Sequence, residues 1–404
     1  VLTFNILQHD GPARTGRLIT QHGVIETPAF MTVGTLGAAK GLTPHMLREH
    51  GAQVILMNAF HLAWRPGEKL VRELGGLHRF SGWNGPILTD SGGFQIFSLP
   101  GLRTINEEGA QFAAPTDGTV RLFTPETVVE LQCALGADMI MPLDQCPAYP
   151  FQPGELEEAV QRSVRWLARS VRRFKELQAQ VGYAAIPTAL QPQGAREAPA
   201  AHHDIGHVNL FGIVQGGFDE TQRRMSIEET CAQDCAGFAL GGFCVGEPPE
   251  ATHAGIAYSA PLLPEDKPRY LMGMGRPEDV LHAVDCGMDL FDCTLPTRNG
   301  RNGMAFTSEG PLRLKNAKHA RDPRPLDLHC NCYTCRTFSR AFLRHLFLAQ
   351  EINACILASL HNVAFYLKLM EDLRGAIRAG RFKAFRQEWL GRYRAEDQDL
   401  EENI

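Results

Sequence analysis

Ile87-Leu88-Thr89-Asp90-Ser91-Gly92-Gly93-Phe94 reads as a short apolar strand that stops on a carboxylate and runs at once into a pair of glycines. The same pattern recurs along the chain. Apolar runs bounded by turn residues fall at 29–33, 54–58, 87–90, 138–143, 210–215, 238–241, 270–273 and 290–293. Helical patterns separate most of them, several opened by a cap followed by proline, as in Thr43-Pro44, Thr124-Pro125-Glu126 and Arg276-Pro277-Glu278. Continuous apolar strands alternating with helices suit a parallel (β/α)8 barrel, whose strands are covered on both faces. A doubly wound open sheet shares that alternation. The polar residues favour the barrel: Asn58, Asp90, Asp144, Gln215, Gly241-Gly242, Met272-Gly273 and Asp292 all fall at or just past strand C-termini, where barrels build their active sites. The expected fold class is α/β, a (β/α)8 TIM barrel.

Two elaborations interrupt it. Near 99–123, the piece 109–123 carries Asp117-Gly118 between β-prone segments and predicts an inserted hairpin. Leu156, Val160, Val164, Leu167, Val171 and Phe174 mark the apolar stripe of a helix with an arginine-rich back half. That helix leads into an Ala/Pro/Gln-rich surface stretch near 178–207. Beyond the eighth strand, Cys330-Asn331-Cys332-Tyr333-Thr334-Cys335 aims three sulfurs at one point and predicts a structural zinc site, one ion per chain. Spacing alone leaves His361, His329, His319 and His345 open as the fourth ligand. A site closed by four protein ligands holds a fold together and does no chemistry, so the reaction belongs elsewhere. The organisation expected is a catalytic barrel over 1–315, a helical zinc-binding subdomain over 316–386 and an acidic tail over 387–404.

The chain has 404 residues and eleven cysteines, an odd number scattered along its length, which argues against a disulfide framework and for a reducing compartment. Residues 1–20 mix His9, Asp10, Arg14 and Arg17 without an apolar core, and no apolar run reaches about 18 residues, so the expectation is a cytoplasmic protein without a membrane segment. A net charge of -5 is compatible with a local basic surface for nucleic acid. Asp90, Asp144 and Asp292 at strand ends point to glycosidic-bond chemistry, in which one carboxylate meets the anomeric carbon and another manages the leaving group's proton. The glycines after Asp90 let backbone approach a planar ligand.

At these motifs the sequence resembles the tRNA-guanine transglycosylases. The resemblance rests on Thr89-Asp90-Ser91-Gly92-Gly93-Phe94-Gln95, Gly212-Ile213-Val214-Gln215-Gly216-Gly217, Gly241-Gly242-Phe243-Cys244-Val245-Gly246-Glu247, Tyr270-Leu271-Met272-Gly273, the run from Phe291-Asp292-Cys293 to Asn302-Gly303, and the three cysteines with a later histidine. It implies an enzyme that exchanges guanine at the wobble position of tRNA for a 7-deazaguanine without cutting the backbone. Asp292 is implied as nucleophile, forming a covalent enzyme–RNA intermediate, and Asp90 as general acid/base. Asp144, Gln215 and the backbone at Gly242 are implied to read the base edge, and Phe94 and Met272 to sandwich its ring. Arg298 and Arg301 are implied to contact the anticodon. The zinc ligands become Cys330, Cys332, Cys335 and His361. Val245-Gly246-Glu247 resembles the bacterial form, which takes prequeuosine base (preQ1) in place of guanine, with Glu247 or a backbone carbonyl favouring its aminomethyl cation. Related enzymes are homodimers with the zinc region near the interface. Gln145, Phe243-Cys244 and the 178–207 stretch depart from the family pattern. Two other readings of the motifs are a non-catalytic zinc-containing tRNA-binding subunit, which should lack Asp292, and a barrel nucleoside or glycoside hydrolase, in which water replaces the incoming base.

Overall fold

The structure, a computed structural model, describes residues 2–98, 103–113, 118–180 and 205–393. The hairpin turn at Asp117, almost all of the 178–207 stretch and the acidic run 396–402 lie outside the described residues.

All eight expected strands form and pair in parallel: Ala29–Gly34, Ile55–Asn58, Ile87–Asp90, Met139–Ile140, a fifth in two pieces, Phe238–Leu240, Arg269–Leu271 and Leu290–Cys293. The eighth pairs with the first. The fifth strand closes the ring, because Asn209–Leu210 pairs with the fourth strand and Gly212–Val214 with the sixth. Phe211, between the two pieces, donates its N–H to Ile140 O at 3.0 Å, and Gly212 donates to Gly237 O at 2.9 Å. Both faces of each strand are buried, and successive side chains divide between two cores. Met31, Leu56, Leu88, Met141, Ile213 and Ala239 belong to the inner cluster. Phe30, Ile55, Ile87, Ile140, Phe238 and Phe291 belong to the cluster shared with the helices.

An antiparallel sheet that the sequence patterns do not announce covers the N-terminal end of the barrel: Thr3–Asp10, Ala13–Thr20 and Gly23–Thr27. Its Leu18 and Ile25 join the inner cluster. Two buried carboxylates fasten it. Asp289 accepts from Arg14 Nε at 3.0 Å and from Arg269 N at 2.7 Å. Asp138 meets His22 Nδ1 at 2.8 Å and His78 Nε2 at 3.2 Å, and accepts from Ile87 N at 2.9 Å. The two imidazoles stack with centroids 3.6 Å apart and planes 19° from parallel, so each ring faces its own oxygen. The carboxylate thus bridges the two rings, and one ligand atom from each of the three residues lies within 4.8 Å of the others.

The inserted hairpin is present and gains a strand: Ala110–Ala113 pairs with both Arg103–Ile105 and Val120–Phe123. The arginine-rich helix runs Glu155–Ala179 and spends its cations locally. Arg165 pairs with Glu107 of the insertion at 2.8 Å, while Arg169 and Arg173 reach Glu126 and Glu130 of helix Pro125–Leu135 at 2.8 and 2.7 Å.

After the eighth strand the chain forms helix Leu295–Asn302, a hairpin (Met304–Thr307, Gly310–Arg313), the cysteine loop and the long helix Ile352–Arg378. That helix is long and apolar enough to cross a bilayer by composition, but its side chains go into two protein cores. Its first half packs with the cysteines, and its second half covers the first barrel strand, where Tyr366 and Phe30 have ring centroids 4.7 Å apart. The last described helix, Phe382–Tyr393, seats Trp389 and Tyr393 in the core, so ordered packing reaches into the stretch read from sequence as tail.

Candidate active site at the barrel mouth

Parallel pairing brings the C-terminal ends of all eight strands to one rim, and with them Asp90, Asp144, Gln215, Gly242, Met272 and Asp292. Asp292 stands one residue before the end of the eighth strand and is buried. Its Oδ1 accepts from Tyr270 Oη at 2.6 Å and from the Gly273 N–H at 2.8 Å. Burial raises its pKa, against these two donors. Asp90, ending the third strand, accepts from Asn58 Nδ2 at 2.6 Å and from Ala59 N at 3.2 Å. Burial, then the charge of Asp292 and that of Asp144, push it up to about 8 despite those donors. Asp90 therefore feels the charge of Asp292 and keeps its proton near neutral pH.

Asp144 follows the fourth strand and lies over the backbone of Gly93, where an added Cβ would sit 1.8 Å from its Oδ1. Only glycine fits there. Gln215 Nε2 donates to Asp144 at 2.6 Å and Ser91 Oγ lies 3.4 Å from it; burial pushes its pKa up to about 6. Gln215 Oε1 is buried without a hydrogen-bond partner, an acceptor left for something else to satisfy. Gly241 and Gly242 run past this side chain, Gly242 with φ +75°. Phe94 stands 55% exposed at the start of the short helix Gly93–Ser98, and Met272 is half-buried after the seventh strand.

Val245 is buried, and the adjoining Glu247 has both oxygens engaged: Cys244 N at 2.6 Å and Thr252 Oγ1 at 2.5 Å on one, Val245 N at 2.8 Å on the other. Glu247 thus shapes the loop. Gln145, next to Asp144, ties the mouth to helix Glu155–Ala179 through Ser163, whose Oγ accepts its N–H at 2.9 Å. Arg298 and Arg301 lie on helix Leu295–Asn302, which follows the strand that carries Asp292, the first exposed and the second half-buried. Asn58, Tyr270, the Gly273 amide and Arg223 belong to the site as well. Asn58 and Tyr270 stand at or beside strand ends and so carried a signal. Arg223 carried none, since in sequence it is one more cation on a polar helix.

Away from the mouth, Cys330, Cys332, Cys335 and His361 bring one ligand atom each to within 4.8 Å of one another, a grouping that can hold a metal ion. His361 Nε2 lies 2.7 Å from Phe306 O, which fixes its proton there and turns Nδ1 toward Cys335 Sγ at 3.2 Å and Cys332 Sγ at 3.6 Å. Among the four histidines that spacing left open, His361 is the one the fold selects. Three sulfurs and one imidazole nitrogen, all buried but that of half-buried Cys330, match the donor set of a structural site.

A family model described as queuine tRNA-ribosyltransferase matches residues 9–395. The queuine tRNA-ribosyltransferase of Aquifex aeolicus is 45% identical over 399 residues, covering 96% of this chain and 98% of the relative. Those of Solidesulfovibrio magneticus and Thermus thermophilus are each 48% identical, covering 97% and 96% of this chain and 98% and 94% of theirs.

Proposed function

The chain belongs to the queuine tRNA-ribosyltransferase family, and on that premise we propose how its barrel mouth exchanges a guanine of tRNA for a 7-deazaguanine. It is a tRNA-guanine transglycosylase, a pentosyltransferase. The Asp292 carboxylate attacks C1′ of the target ribose as the C1′–N9 bond breaks, leaving a glycosyl ester on Asp292 and a guanine that takes a proton from Asp90. The incoming base loses its N9 proton to Asp90 and displaces the ester, so both carboxylates return to their starting states. The observation that carries this reading is the opposed support of the pair: Asp292 is held for attack by Tyr270 and Gly273, while Asp90 keeps a proton near neutrality. Asp144, Gln215 and Gly242 read the base edge, Phe94 and Met272 enclose its ring, and Arg298 and Arg301 meet the anticodon beside it. Labelled-guanine tRNA incubated with candidate 7-deazaguanines tests the reading. Release of label matched by incorporated base supports it, and release leaving abasic tRNA would make the protein a hydrolase.

The incoming base is preQ1 and the target guanine is at the wobble position. Val245, buried and held through the Glu247 loop, leaves no slack for the larger queuine, since overfilling a packed slot costs about 1–3 kcal/mol. Wild type is expected to prefer preQ1, and Val245→Gly to narrow the gap. The ratio of kcat/KM for the two bases in both proteins checks this, and equal use of both by wild type would refute the pocket assignment.

Zinc fits the Cys330, Cys332, Cys335 and His361 donor set, one ion per chain, with a structural role. Cys332→Ala should lose the metal and at least about 4 kcal/mol of stability, because metal affinity here is folding free energy. Elemental analysis and thermal melts read both. Exposed Leu328, Tyr333, Phe342, Leu348 and Ile352 around that region support a homodimer joined there. The division into a barrel, a zinc-binding subdomain and a tail accompanies this reading, and a cytoplasmic setting suits its free thiols and tRNA substrate.

A further inference from the structure

Arg223 is a fully buried cation that makes no ion pair among the described residues, although it feels the charge of Glu247. Three backbone carbonyls take its place. Nε donates to Gly217 O at 2.6 Å, Nη1 to Val214 O at 3.2 Å and Nη2 to Gly241 O at 2.7 Å, and the Phe243 ring lies 3.9 Å from the guanidinium carbon. Burial pulls its pKa down to about 9, so the charge is kept at a cost.

What the cation fixes is the orientation of one peptide. Two successive glycines tolerate either orientation of the peptide between them, because neither carries a Cβ that would decide it. Gly241 O bound to Arg223 removes the choice. A trans peptide points its C=O and N–H in opposite directions, so the Gly242 N–H is turned away from Arg223. There it meets the sulfur of Cys146, a weak acceptor that a better one can displace. The edge of guanine presents donors at N1 and N2 beside the acceptor O6. The Asp144 carboxylate, an acceptor, suits the donors and leaves O6 in need of an N–H.

We propose that Arg223 is a positioning residue for base recognition: by anchoring the Gly241 carbonyl it aims the Gly242 N–H at the 6-oxo group of the base. The proposal rests on the base pocket assigned above. Its fork is essential, since lysine cannot reach three carbonyls at once.

The test compares Arg223→Lys and Arg223→Gln with wild type, using full-length protein, intact tRNA and three bases. Guanine and 6-thioguanine differ in the acceptor at position 6. Guanine and hypoxanthine differ in the amino group facing Asp144. The guanine/6-thioguanine ratio of kcat/KM should fall about tenfold in both variants, the weight of one hydrogen bond. The guanine/hypoxanthine ratio and KM for tRNA should stay at wild-type values. A lowered melting temperature with an unchanged 6-thioguanine ratio would reduce Arg223 to a structural residue and overturn the proposal. Wild type that discriminates against neither analogue would instead overturn the pocket assignment. Should both variants fail to fold, Phe243→Leu, which removes only the ring beside the guanidinium, carries the test: a fall of about threefold in the same ratio is expected, and no fall overturns the proposal.

Discussion

Asp292→Asn is expected to abolish base exchange, with a loss of about four orders of magnitude or more, and to leave no denaturation-resistant protein–tRNA adduct. The amide oxygen cannot form the glycosyl ester, because it lacks the anionic lone pair that attacks C1′. The substitution keeps the volume of the side chain, and its oxygen can still accept from Tyr270 Oη and the Gly273 N–H, so the fold and tRNA affinity should survive. Gel analysis under denaturing conditions after incubation with tRNA reads the adduct, and stopped-time assays with labelled guanine read the exchange. Turnover at the wild-type rate would remove Asp292 from the mechanism.

Asp90→Asn should cost about 10²–10⁴-fold in kcat, the range of a general acid/base, while leaving tRNA binding near wild type. The pH dependence of the wild type carries the sharper test. With its pKa raised to about 8 by burial and by Asp292, Asp90 is protonated at neutral pH and loses its proton above about 8. Departure of guanine needs that proton, so the rate should fall as pH rises through this range. Asp292 must be ionised to attack, and its own raised pKa sets a fall on the acid side. A rate that keeps rising beyond pH 9 would contradict the assignment of the acid, as would an Asp90→Asn variant that loses tRNA affinity and keeps its chemistry.

The eight strands were legible because a doubly covered parallel strand has a plain signature, an apolar run ended by turn residues. The carboxylates were legible because the barrel puts function at the ends of those runs. Asp90, Asp144 and Asp292 needed only position and residue type to stand out. The rest depends on partners distant in sequence. Arg14 looks like an exposed charge until Asp289 is brought to it, and Asp138 gives no hint of His22 and His78. The N-terminal sheet was missed since its three strands, two of them mixed polar and apolar, resemble surface segments. The fifth strand reads as one run and serves as two edges, a property of ring closure rather than of residue type. The arginine-rich helix is another case: its charges read as a basic stretch in sequence, and only the fold brings Glu107, Glu126 and Glu130 to Arg165, Arg169 and Arg173.

The helix Ile352–Arg378 is the outer cover of the first strand: Tyr366 packs on Phe30, and Arg374 Nη1 donates to Pro28 O at 2.7 Å. These partners are made at opposite ends of synthesis. At translation rates of roughly 5–20 residues per second, Tyr366 follows Phe30 by roughly 20–70 s. A ribosome that has delivered all eight strands still carries a barrel with one side bare. Each nascent chain therefore spends that interval with an apolar strand face uncovered, and its yield in a cell depends on what shields the face until the last long helix arrives.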